Sequence, residues 1–95
     1  MDMNLGNGHA ETDLEQITVL NVRINKEDIL KPAFDNLPFV LNFKEKEDYF
    51  KLLDHGVFHV ELDQGKILID CKLDESTDFI DKNTDITGYY SYSRL

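Results

Sequence analysis

Tryptophan is absent from this 95-residue chain, cysteine occurs once, proline twice, and ten basic side chains face nineteen acidic ones. Each scarcity excludes something. A single cysteine, Cys71, cannot form an internal disulfide or a Cys-pair zinc site, and it points to a reducing, cytoplasmic setting. No apolar run approaches the ~18 residues of a membrane span. The opening Met1-Asp2-Met3-Asn4 has neither a basic stretch nor an apolar one, so a signal peptide is not expected. Lysine and arginine are few and unclustered, which argues against direct binding of nucleic acid or anionic lipid through a basic patch. A glycine-rich phosphate loop, a paired-carboxylate motif and a nucleophile elbow are likewise missing, and no cofactor is expected.

What is present is acid, unevenly placed. The formal net charge is −9. Residues 1–15 carry Asp2, Glu11, Asp13 and Glu15 with no base, a local −4. Residues 74–85 carry Asp74, Glu75, Asp78, Asp81 and Asp85 against Lys82 alone, again −4. Residues 16–73 hold ten acids and eight bases, close to balance. Enough apolar residues (41%, with six Phe and four Tyr) remain to build one core.

Residues 1–13 are polar, glycine-containing and aperiodic, and read as a flexible acidic tail whose deletion should leave the melting temperature within a few degrees. Residues 14–95 read as a single domain. A first strand is expected at Gln16–Ile24, with its alternation slipping near Leu20. Asn25 and Asp28 are both N-cap candidates for a helix reaching about Asn36, with Ile29, Leu30, Ala33, Phe34 and Leu37 at helical spacing. The position of Pro32 favours Asp28. Pro38–Phe43 reads as a strand, and Lys44–Asp54 as a helix ended by Gly56.

Val57–Leu62 and Ile67–Leu73 form a predicted hairpin. A two-residue turn at Gln64-Gly65 would set Leu62 against Ile67, Val60 against Ile69 and Phe58 against Cys71 on one face. His59 would meet Asp70, and Asp63 would meet Lys66, on the other. Residues 74–85 read as a helical turn or a loop, and Ile86–Arg94 as a last strand. The expected order is β-α-β-α-β-β-(α)-β, an α+β domain with an antiparallel or mixed sheet of about five strands and two to three helices.

Chemistry-bearing clusters are few. Cys71, His59 and Asp70 include a nucleophile and a base, but the hairpin register turns the cysteine inward and the other two outward. His55 and His59 straddle a helix end and a glycine, so they do not share a helix face, and no metal site is expected. Asp81-Lys82-Asn83-Thr84-Asp85 resembles the opening of a calcium loop, but Ile86 stands where glycine is needed and Tyr92 where a bidentate Glu is needed. If helical, Asp74, Asp78, Asp81 and Asp85 would form a carboxylate stripe with neighbours about 5–6 Å apart. Such spacing mimics a phosphate backbone.

These features point to binding rather than catalysis. The leading expectation is a small acidic inhibitor or immunity-type protein, a nucleic-acid mimic occupying a basic surface of another protein. Its binding residues would be Asp74, Glu75, Asp78, Asp81, Asp85, Tyr89, Tyr90 and Tyr92. The alternative is an accessory subunit docking through a sheet edge or aromatic surface, with the acid serving only solubility.

Overall fold

In a computed structural model, residues 2–30, 36–75 and 77–94 are described. They form seven strands: β1 (Asp2–Glu11), β2 (Gln16–Asn25), β3 (Leu37–Phe43), β4 (Phe58–Leu62), β5 (Ile67–Leu73), β6 (Ile86–Tyr90) and β7 (Tyr92–Arg94). One α-helix, α1 (Lys46–His55), lies between β3 and β4, and a short 3₁₀ turn occupies Lys26–Leu30. Every pairing is antiparallel, and the ring runs β1-β2-β3-β6-β5-β4 before β4 returns to β1. The molecule is therefore a closed six-stranded β-barrel with a single α-helix among the described residues. The α+β sheet with two to three helices is overturned.

The largest correction is at the N-terminus, where a tail was expected. β1 pairs with β2 along its length and with β4 from Gly8 to Glu11, and it sends Leu5 and Ala10 into the core. Composition concealed it, because only Met3, Leu5 and Ala10 offer apolar side chains to the core and two of its residues are glycines. One of those glycines is required. A Cβ on Gly8 would stand 2.3 Å from the Glu61 carbonyl oxygen and 2.7 Å from Leu62 Cα, so only glycine lets β1 approach β4 this closely.

The 3₁₀ turn at Lys26–Leu30 corrects the first helix as well. The Glu27 N–H donates to Asn25 Oδ1 (3.1 Å), so Asn25, not Asp28, starts the turn, and Asp28 is buried within it. Ala33 and Phe34, expected on that helix, lie outside the described residues. The second helix, its Gly56 cap (φ 92°) and the later strands stand close to their expected positions.

Besides the register shifts of β1 between Asn4 and Gly8, bulges in β2 and β5 decide which side chains point inward. In β2, Asn21 adopts φ 50° beside a shift in the β2–β3 register, which realises the slip expected near Leu20 and keeps both Val19 and Val22 inside. In β5, Asp70 adopts φ 55°, and the β4–β5 register shifts between Phe58 and Val60. The hairpin loop has three residues rather than two: the Leu62 N–H donates to the Lys66 carbonyl (2.8 Å) and Gly65 takes φ 87°. Phe58 does meet Cys71, but Val60 meets Leu68 and Glu61 meets Ile67. The expected pairs Leu62–Ile67, Val60–Ile69 and Asp63–Lys66 are thus out by one residue. Beyond the bulge, Leu68 fills the core while Ile67 and Ile69 sit half-buried on the outer wall.

The barrel interior is filled from β1 to β6: Ala10, Val19, Phe39, Leu41, Phe43, Phe58, Val60, Leu68, Cys71, Ile86 and Tyr90 are all inaccessible or nearly so. α1 packs against β2, β3 and β5 through Tyr49 and Leu52, with the Tyr49 ring 5.8 Å from that of Phe43. No described helix is long and apolar enough to cross a membrane.

Because β1 is paired on both sides, removing residues 1–11 should abolish the cooperative thermal transition rather than leave it unchanged. Circular dichroism melts of the truncated chain test this, and a transition within a few degrees of wild type would show that the ring closes without β1.

Candidate functional site

Antiparallel strands sort their connections into two ends. At one end lie the β1–β2 turn (12–15), the β3–β4 segment carrying α1 (44–57) and the β5–β6 loop (74–85). These three segments hold eleven acids and four bases, a net −7 of the chain's −9. Acid from three separate stretches of the chain is thereby gathered at one mouth of the barrel.

The segments touch. The Lys51 ammonium lies 3.6 Å from a Glu15 carboxylate oxygen, joining α1 to the turn. On the other side of α1, the Tyr49 hydroxyl donates to the Thr77 carbonyl (3.0 Å), and its ring stacks 5.8 Å from Phe79. The electrostatics register the crowding. Burial and the carboxylates of Asp74, Asp78 and Glu75 push the Tyr49 hydroxyl above its ordinary range. Asp48 is likewise raised, first by burial and then by Glu45, Glu15 and Glu47, with Lys51 opposing.

The same end carries apolar side chains in water. Leu14 (89% exposed), Ile80 (84%), Val57 (56%) and Phe50 (49%) all belong to these three segments. Among the described residues, only one other large hydrophobe, Tyr89 on β6, is comparably open. A groove lined by Leu14, Ile17, Lys51 and His55 runs between the turn and α1.

The expected binding residues divide. Glu75, Asp78 and Asp81 are exposed. Asp74 is half-buried. Tyr90 is fully buried, its hydroxyl pushed up to about 12 by burial and the nearby Asp28 carboxylate, and it is not a surface anchor. The side chain of Tyr92 lies outside the description. No helix forms between Asp74 and Asp85 in the described residues, so the carboxylate stripe is not built.

Asp85 has another role. Its Oδ1 accepts from Arg23 Nη2 (2.8 Å) and from Asn42 Nδ2 (2.9 Å), while Asn42 Nδ2 also donates to the Thr84 carbonyl (2.9 Å). Asp81 Oδ1 accepts the Asn83 N–H (2.8 Å), and Thr84 Oγ1 accepts those of Ile80 and Asp81. The calcium-like segment is thus a self-capped turn anchored to Arg23, whose guanidinium already supplies the cation facing Asp85.

Cys71 is buried, and burial pushes its thiol up to about 12, while His59 is exposed on the outer wall. The suspected Cys-His-Asp grouping is not assembled. The expected His59–Asp70 pair is also replaced, since Ile69 and Asp70 together bulge opposite His59. Leu14, Phe50, Val57 and Ile80 were missed from sequence, although their connections held the signal: apolar residues in otherwise charged segments. Compared with family models, with curated proteins and with solved structures, the chain matches none.

Two outcomes follow. Cys71 should react slowly with a thiol reagent in the native state and rapidly in denaturant; fast native labelling would contradict its inward position. The Asp85 carboxyl is held below its ordinary range, first by the Arg23 and Asn42 hydrogen bonds. Its contribution is therefore present above the unfolded pKa of ~3.9 and is lost as pH falls through the lower folded value. Asp85→Asn should cost about 1 kcal/mol at pH 7, a charged hydrogen bond discounted for exposure, and much less near pH 2. Denaturant titrations at the two pH values check this.

Proposed function

We propose that this protein is a small acidic binding protein, of inhibitor or immunity type, whose acidic barrel end occupies a basic surface on another protein. The supporting observation is the convergence of a net −7 with Leu14, Phe50, Val57 and Ile80 at one end of the barrel. Charge alone is an ordinary property of a soluble surface. Charge surrounding exposed apolar side chains has the composition of an interface, with a desolvated centre and a steering rim.

In this reading Glu75, Asp78 and Asp81 act mainly on association, and Phe50 and Ile80 on dissociation. Asp85 positions the loop rather than meeting the partner. A basic nucleic-acid groove on a protein is one surface of suitable chemistry. The lone buried cysteine is consistent with a reducing cytoplasm as the place of action. The second reading is an accessory subunit docking through a sheet edge or aromatic surface; ring closure pairs β1 with β4 from Gly8 to Glu11 and so shortens the edge such docking would use.

The test uses the partner recovered from the native host by affinity capture. Converting Glu75, Asp78 and Asp81 to Gln, Asn and Asn should slow association at least about tenfold and flatten its salt dependence, with little change in stability. Phe50→Ala and Ile80→Ala should instead speed dissociation. Unaltered kinetics in the triple variant, or a dominant effect of Tyr89→Ala, would reject the acidic end as the interface.

A further inference from the structure

The chain contains the same triplet pattern twice, His9-Ala10-Glu11 on β1 and His59-Val60-Glu61 on β4. A spacing of two along a strand places both polar residues on one face, and Ala10 and Val60 between them are fully buried. The antiparallel register then sets His9 opposite Glu61 and Glu11 opposite His59. Two imidazoles and two carboxylates therefore form a square on the outer wall, at the seam that closes the barrel. None of these four belongs to the acidic end described above.

The side chains already converge. His9 Nε2 is 3.3 Å from Glu11 Oε1 and 3.8 Å from Glu61 Oε2, and donor atoms of the three residues all lie within 4.8 Å of one another. Two donors each ~2.1 Å from a tetrahedral ion stand roughly 3.4 Å apart, so the imidazole–carboxylate separations are those of ligands about a common zinc-sized cation. A divalent ion would meet one imidazole nitrogen and two carboxylates of opposite charge here.

The surroundings suit a ligand set. Gln16 Nε2 donates to Glu11 Oε1 (3.2 Å) and orients that carboxylate. Glu11, Glu61 and His59 line a cleft with Ile67 and Ile69, the two isoleucines that the Asp70 bulge turns outward. The cleft opens beside two of the three donor residues, Glu11 and Glu61. A nitrogen donor with two carboxylates favours zinc or a similar borderline ion over calcium or magnesium, which take all-oxygen shells.

We infer that His9, Glu11 and Glu61 bind one divalent transition-metal ion of the zinc class across the β1–β4 seam. Bound there, the ion ligates both strands and clips the ring shut, so that binding free energy adds to folding stability.

The experiment titrates ZnCl₂ into the EDTA-stripped, dialysed full chain by calorimetry, with melting temperature measured in parallel. The expected result is saturable binding of one zinc per chain and a melting temperature several degrees higher at saturation. His9→Ala and Glu61→Gln should each weaken binding at least about tenfold and abolish the thermal shift, while His55→Ala on α1 should leave both intact. Co²⁺ offers a readout that needs no variant: in the wild-type chain it should show the intense visible bands of a tetrahedral site. Absence of saturable heat, equal affinity in the His9 and Glu61 variants, or a Co²⁺ spectrum identical to the aqua ion would each overturn the assignment.

Discussion

β1 hydrogen-bonds on both of its sides, to β2 along its length and to β4 through Gly8–Glu11, and this double pairing turns a curled sheet into a ring. Long unpaired strand edges expose rows of backbone donors and acceptors, and closure pairs β1 with β4 from Gly8 to Glu11. The seam depends on close approach at Gly8, where any side chain would strike the β4 backbone. Once the ring is shut, inside and outside are defined for every strand.

Within that frame, two left-handed residues adjust the count. Asn21 and Asp70 each absorb one extra residue, so that neighbouring core positions fall three apart in sequence instead of two. The first bulge also stands beside the Arg23–Asn42–Asp85 network that ties the β5–β6 loop to the barrel wall. The second turns Ile67 and Ile69 outward, where they floor the cleft beside His59 and Glu61. Both are polar residues that tolerate positive φ and whose side chains face solvent.

Closure further separates two kinds of surface. The connections at one mouth collect most of the net charge together with exposed apolar side chains, a composition suited to a macromolecular partner. The wall at the seam instead carries a compact set of nitrogen and oxygen donors suited to a single small cation. The two surfaces call for different ranges of interaction: the steering charge acts over about a Debye length, whereas metal ligation acts only at bonding distance.

Local signals in the sequence determined the elements whose causes are local. The α1 stripe of Tyr49, Leu52 and Leu53, its Gly56 stop, the β4–β5 hairpin and the β-branched run of β2 all follow from periodicity and turn chemistry within about ten residues. The accumulation of acid in residues 1–15 and 74–85 was likewise visible. Tertiary structure alone decided the rest. β1 is a strand because β2 and β4 supply partners on both sides, although its own composition suggests a tail. The hairpin register depends on a bulge that no local preference announces. His9 and Glu61 lie 52 positions apart and Glu11 and His59 lie 48 apart, and only barrel closure brings the two His-x-Glu triplets together. Long-range pairing selects among conformations that are locally near-degenerate, so its outcome is not written in any short window of the chain.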